Sequence, residues 1–237
     1  VYNNWQKSLH GIAWNANYIE NHDQPRIISR YGSEKYRTES GKMLATMYIC
    51  QSGTPFIYQG QEIGMTNPRI PTIDRYKDVS SFNNYAMFKK LHIPESITMK
   101  FCMYASRDNA RTPMQWTADK NAGFTDADTP WFEINPNYTE INVEAEANNP
   151  DSILNYYKKL LRFRKENDIV KYGDFEMLRT GSKLFAYIRN YEKQKMLVVC
   201  SFSEKEMVFK VPESFTIADA ELVLCNYDSN KVIKNGF

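Results

Sequence analysis

Two short runs in the first third of the chain carry the residue types of a site. The first, Glu20-Asn21-His22-Asp23, follows an aromatic stretch at residues 14–19, and the second, Gln59-Gly60-Gln61-Glu62, follows the apolar triplet Phe56-Ile57-Tyr58. A carboxylate only accepts hydrogen bonds, whereas an imidazole donates from at least one nitrogen. The adjacent His22-Asp23 pair can therefore meet both the hydrogens and the oxygens of a hydroxylated ligand. The residues alone leave a second reading open, in which Asp23 caps the helix that follows and His22 packs inside a loop. Cys50, Cys102, Cys200 and Cys225 are scattered, without CxxC or Cys/His ligand spacing. They read as buried free thiols, with no metal site and no cofactor implied.

The elements that must position these groups follow from hydrophobic periodicity. Residues 14–19 are β-prone and run into the first polar cluster, as a strand ending in a charged loop does. Between residues 33 and 51, Met43, Leu44, Met47 and Tyr48 recur at helical spacing, and Gly53-Thr54-Pro55 ends that helix before Phe56-Ile57-Tyr58. The order is strand, helix, strand, with both polar runs at the C-terminal ends of the strands, where parallel α/β folds hold their ligands. Helices are expected around residues 82–88 and 96–104. Residues 111–140, rich in Pro, Asn, Asp, Gly and Trp, read as an ordered loop. Asn149-Pro150 offers a cap and a first-position proline to an amphipathic helix carrying Ile153, Leu154, Tyr157, Leu160, Leu161 and Phe163. Arg162, Arg164 and Lys165 complement the negative end of its dipole. From residue 169 onward, alternating runs at 185–188, 196–200, 208–211 and 221–224 indicate a small antiparallel β domain.

At 237 residues, 42% hydrophobic and 14% aromatic, the chain can bury one large core or two smaller ones. Its 30 Lys and Arg against 28 Asp and Glu leave a formal +2, far from the basic balance of a nucleic-acid binder. No apolar run reaches the roughly 18 to 20 residues of a membrane span, and free thiols suit a reducing cytoplasm. Residues 1–9 read as the tail of a helix, and Val1 is not an initiator Met, so an N-terminal portion of the same protein is expected ahead of them. The β domain lacks an obvious closing strand and is expected to be incomplete.

The run Ile19-Glu-Asn-His-Asp-Gln-Pro-Arg26 resembles the fourth conserved region of α-glucosidases in the α-amylase superfamily, glycoside hydrolase family 13, at the end of the seventh barrel strand. The resemblance continues in order. Gly53-Thr-Pro-Phe-Ile-Tyr-Gln-Gly-Gln-Glu-Ile-Gly-Met-Thr-Asn67 is similar to the family's eighth strand. Ser106-Arg-Asp-Asn-Ala-Arg-Thr-Pro-Met-Gln-Trp116, Asn121-Ala-Gly-Phe124 and Ile141-Asn-Val143 follow. Together these cover about residues 1 to 170, and oligo-1,6-glucosidases, dextran glucosidases and trehalose-6-phosphate hydrolases form the subgroup they resemble most. The resemblance implies the C-terminal part of a (β/α)8 TIM barrel, about strands 7 and 8, over residues 1–168. An antiparallel β-sandwich-like domain, α/β plus all-β overall, would occupy residues 169–237.

In this family a nucleophilic Asp and an acid/base Glu about 5 Å apart perform a retaining hydrolysis through a glycosyl-enzyme intermediate. Neither motif occurs in this chain, so the segment alone is expected to be inactive. By resemblance, Asp23 is the third catalytic carboxylate, which grips sugar hydroxyls beside the anomeric carbon and favours the oxocarbenium-like transition state. His22 matches a hydroxyl-binding histidine. Arg107 matches an arginine at the pocket rim, where a planar donor fork can hold a carboxylate and face substrate oxygens. Arg26 and Arg111 occupy motif positions without an assigned role, and Glu62 is expected to anchor the loop after strand eight. Ser80 departs from a family segment that usually carries a glutamate, a change expected to leave Arg107 freer. Trp116, Trp131 and Phe132 are expected to pack in the core rather than stack on sugars. The implied substrate is a small oligosaccharide or disaccharide. Trehalose 6-phosphate hydrolysis, a transglycosylating or isomerising activity and a non-catalytic binding or scaffold role remain the alternatives.

Overall fold

The expected helices form, and the two for which an apolar stripe was expected bury Met43, Leu44, Met47 and Tyr48 in one and Ile153, Tyr157 and Leu160 in the other. In the computed structural model, which describes residues 2–217 and 220–227, the chain begins with α1 (Tyr2–Leu9), β1 (Ala16–Asn17), α2 (Ile27–Tyr31), α3 (Arg37–Ile49) and β2 (Thr54–Pro55). It continues through α4 (Val79–Lys90), α5 (Glu95–Ala105), α6 (Val143–Asn148), α7 (Ile153–Glu166) and α8 (Asp168–Tyr172). Three strands follow: β3 (Asp174–Met177), β4 (Leu184–Tyr191) and β5 (Gln194–Ser201). The chain divides into two units: one gathers the described residues among 1–17, 42–56 and 156–237, the other residues 18–41 and 57–155.

In the first unit, β1 and β2 pair in parallel, Ala16 opposite Thr54 and Asn17 opposite Pro55. A parallel pair requires a crossover, here a helical one. Gly53 has φ +116, and a Cβ there would sit 2.5 Å from the Asn15 carbonyl oxygen, so only glycine allows this approach. Met43, Leu44, Met47 and Tyr48 are all buried, as their spacing predicts. The sheet β3-β4-β5 is antiparallel throughout, Phe175 facing Arg189 and Ile188 facing Leu197. Residues 208–211 and 221–224, expected as strands, adopt no regular structure. Their alternation finds no neighbouring ladder among the described residues, and Val208 is 91% exposed.

Two buried arginines tie this unit together without a carboxylate at their hydrogen-bonding nitrogens. Arg164 Nη1 donates to the Ile49 and Gln51 carbonyls, each at 2.7 Å, and Nη2 to that of Gly53. Arg189 Nη1 donates to Cys50 O at 2.7 Å and Val170 O at 3.1 Å, and Nη2 to Gly173 O at 2.6 Å. Arg164, in the last turn of α7 as expected, thus also satisfies the Ile49 carbonyl that α3 leaves open and two carbonyls just beyond it. Burial pushes the Arg189 guanidinium down to about 10. The same burial raises the Cys50 thiol to about 12, against the pull of both arginines.

In the second unit, α4 and α5 bracket a cluster of Ile70, Tyr76, Met99, Cys102 and Phe132. Ile63, Met65 and Met114 form another. Phe132 packs as expected, but Trp116 and Trp131 are 48% and 60% exposed, which corrects the reading of them as core residues. Residues 111–140 are an ordered loop, pinned by Asn135 Nδ2 to Thr66 O at 2.9 Å and by Trp116 N to Ala122 O at 2.8 Å. The helix expected from Asn149-Pro150 begins at Ile153 instead. Asn149 Oδ1 takes the Asp151 N–H in a turn, Ser152 Oγ accepts from Asn155 N at 3.1 Å, and Glu146 Oε2 accepts from Ile153 N at 2.9 Å. Three polar acceptors therefore share the start that one cap was expected to provide.

Candidate active site

The His22-Asp23 loop is closed at its base by buried charge. Glu20 Oε1 accepts from Arg26 Nη1 and Glu20 Oε2 from the Ile27 N–H, at 2.7 and 2.8 Å. Arg26 Nη1 also reaches Gln59 O at 2.7 Å, and the Arg26 N–H donates to Asn67 Oδ1 at 3.0 Å. Both side chains of the Glu20–Arg26 pair are fully buried. Burial raises the Glu20 carboxyl, and Arg26 with the Ile27 N–H opposes that rise without cancelling it. Glu20, not Asp23, therefore receives the first N–H of α2. The capping reading of Asp23 does not describe this loop.

Asp23 is free for other work. Its own N–H is held by Asn21 Oδ1 at 2.8 Å in a tight turn, which turns the His22 and Asp23 side chains outward, 68% and 49% exposed. His22 Nε2 lies 3.3 Å from Asp23 Oδ2. Arg107 Nη1 lies 3.5 Å from Asp23 Oδ1, and Arg111 Nη2 donates to the same oxygen at 2.8 Å. Arg111 Nε also donates to the His22 carbonyl at 2.9 Å. His22, Asp23 and Arg107, separated by more than eighty positions in sequence, thus form one cluster.

Arg107 is fixed from behind. Its Nε and Nη2 donate to Asp78 Oδ1 at 2.9 and 2.5 Å, and Nη2 also reaches Ser80 Oγ at 3.2 Å. Asp78 in turn caps α4 by accepting from Ser80 N at 3.0 Å, and its own N–H is held by Asp108 Oδ2 at 2.8 Å. Burial alone would raise the Asp78 carboxyl. The hydrogen bonds and charge of Arg107, with the Ser80 N–H, outweigh it and leave the group below the ordinary carboxylate range. The same contact lifts the Arg107 guanidinium above its usual value. The expectation that Ser80 leaves Arg107 loose is therefore corrected, because a buried carboxylate two residues earlier holds it.

Asp78 and Arg111 carry roles that the sequence reading did not assign. Asp78 had a signal, since an Asp just before a helical Val-Ser-Ser run is a capping position. Arg111 had only its place in the motif. Glu62 lies deeper, its carboxyl raised by burial against the backbone N–H groups of Glu62 and Gly60 and the Arg26 charge, and its Oε2 has no hydrogen-bond partner among the described residues. Among the described residues no group of three or more His, Cys, Asp or Glu is gathered as a metal ion would require. A carboxylate flanked by an imidazole and two guanidiniums suits neutral, hydroxyl-rich ligands and any anion the arginines can reach.

The family model for the α-amylase catalytic domain matches residues 1–173, and the chain belongs to that family. Oligo-1,6-glucosidase of Halalkalibacterium halodurans is 47% identical over 229 residues, covering 96% of this chain and 41% of the relative. Trehalose-6-phosphate hydrolase of Bacillus subtilis is 41% identical over 240 residues, covering 99% and 43%. The crystal structure of trehalose-6-phosphate hydrolase from Bacillus licheniformis matches with a TM-score of 0.91 and 45% identity, over 96% of this chain and 42% of that one. The chain spans about two-fifths of the length of the curated relatives it matches.

Proposed function

We propose that this chain is the C-terminal segment of a retaining α-glucosidase that cleaves α-glucosidic bonds in short oligosaccharides, as an oligo-1,6-glucosidase does. The observation that carries the reading is the convergence of His22, Asp23 and Arg107 at one exposed cluster, in a loop whose base is fixed by Glu20 and Arg26. In this reading Asp23 is the transition-state carboxylate, and His22 and Arg107 bind substrate hydroxyls. The nucleophile and acid/base carboxylates belong to the rest of the enzyme, and the segment alone turns over no substrate. The parallel pair β1 and β2 serves as the seventh and eighth barrel strands. Residues 1–168 belong to the barrel domain and 169–237 to the β domain. Three buried free thiols, Cys50, Cys102 and Cys200, favour a reducing cytoplasm.

A second reading, trehalose-6-phosphate hydrolysis, has the structural likeness to the Bacillus licheniformis enzyme in its favour, together with Met65-Thr-Asn-Pro68 ahead of Tyr76-Lys-Asp78. The full-length enzyme decides between them. We expect the largest kcat/KM on isomaltose among isomaltose, maltose and trehalose 6-phosphate. The largest value on the phosphorylated disaccharide would reverse the assignment, and no turnover of any of the three would favour a non-catalytic relative.

A further inference from the structure

We infer that Arg111 is a positioning residue for Asp23, setting the orientation of that carboxylate before substrate arrives; the inference rests on the role proposed above for Asp23. The two arginines beside Asp23 differ in what they are committed to. Arg107 spends Nε and Nη2 on Asp78 and leaves only Nη1 facing Asp23, at 3.5 Å, beyond a good hydrogen bond. Arg111 makes the direct bond, 2.8 Å from Nη2 to Asp23 Oδ1.

Its second bond is what gives it a positioning role. Arg111 Nε donates to the main-chain oxygen of His22 at 2.9 Å, so one rigid guanidinium spans the carbonyl of residue 22 and the side chain of residue 23. Fixing a side-chain oxygen relative to its own preceding carbonyl restricts Asp23 to one rotamer. An otherwise half-exposed carboxylate would sample several. With Oδ1 held, Oδ2 is the oxygen presented beside His22 Nε2. A transition-state contact acts on the rate only if it is in place when charge develops, without reorganisation at that moment.

A lysine at the same position keeps the charge but offers one nitrogen at the end of a flexible stem, and it cannot span both acceptors. The test uses the full-length enzyme with Arg111→Ala, Arg111→Lys and Asp23→Asn, assayed on isomaltose. Arg111→Ala should lower kcat by about ten- to a hundredfold while KM stays within about threefold, since the lost contact acts in the transition state. Added guanidinium ion at low millimolar concentration should recover part of that kcat and leave the parent unchanged, and Arg111→Lys should stay well below the parent.

A kcat for Arg111→Ala within about twofold of the parent overturns the inference. So does a kcat loss that guanidinium does not relieve and that accompanies a matching fall in thermal midpoint, because that is the signature of a structural arginine. If Asp23→Asn itself keeps parental kcat, the proposed role of Asp23 fails first, whatever Arg111 does. If Asp23→Asn is crippled and Arg111→Ala is not, only the positioning role fails.

Discussion

Glu20 and Arg26 face each other at 2.7 Å with both side chains wholly buried, at the base of the loop that carries His22 and Asp23. Arg26 Nε and Nη2 have no hydrogen-bond partner among the described residues, so its hydrogen-bonding share of the charge compensation comes through Nη1, to Glu20 and the Gln59 carbonyl. Breaking one side of such a pair strands a buried charge and costs about 3 to 5 kcal/mol, whereas replacing both partners with apolar groups of similar volume costs far less. Glu20→Gln should therefore destabilise the protein by that amount, and Glu20→Met combined with Arg26→Met by less. Denaturant midpoints at constant m-value measure both. A double variant no more stable than the single one would mean that the pair is not an isolated unit.

The contact between Arg107 and Asp78 carries a pH dependence. The Asp78 carboxyl is lowered in the folded protein, so the unfolded chain binds the proton more tightly and acid favours unfolding. The stability it contributes is present above the ordinary aspartate value of about 3.9 and is lost as pH falls through the lower folded value. Asp78→Asn should flatten the acid limb of the thermal midpoint measured between pH 5 and about 3, relative to the parent. An unchanged acid limb would show that Asp78 carries none of it.

Much of this arrangement is legible in residue order. The helix and its buried stripe of Met43, Leu44, Met47 and Tyr48 follow from periodicity, because apolar burial fixes them locally, but the strands are shorter than expected: β1 holds only Ala16–Asn17, and β2 forms at Thr54–Pro55, read as the breaker, rather than at residues 56–58. His22, Asp23 and Arg107 were reached through a motif, since nothing in spacing places residue 107 beside residue 23. The partners behind them were less visible. Asp78 and Arg111 act through contacts set by tertiary packing, and Glu20 displaced Asp23 from capping because a buried carboxylate can accept from both Arg26 and Ile27 at once. Alternation at 208–211 failed for the opposite reason: a strand pattern is an invitation to pair, and among the described residues no ladder lies beside it.

Asp23→Asn in the full-length enzyme keeps the side-chain shape and removes the charge that two arginines and a developing oxocarbenium ion would face. We expect kcat to fall by orders of magnitude with a smaller change in KM, the pattern of a contact made mainly in the transition state. Steady-state kinetics on a chromogenic α-glucoside measure it. A loss of less than about tenfold would remove Asp23 from the catalytic set.

Ser80 is a neutral neighbour of Arg107 at a position where a carboxylate could stand. Asp78 already takes Nε and Nη2, and Ser80 Oγ adds only a neutral acceptor at 3.2 Å. Ser80→Glu would introduce a second carboxylate at the rim, which competes for the guanidinium and repels an anionic acceptor. The comparison is kcat/KM on isomaltose, maltose and trehalose 6-phosphate in the full-length enzyme, since discrimination lies in ratios of that quantity. The phosphorylated substrate should lose the most, because arginine suits phosphate recognition and the added charge opposes it. Ratios within about twofold of the parent's, or about 0.4 kcal/mol, would mean that Asp78 alone sets the behaviour of Arg107 and that position 80 does not select the substrate.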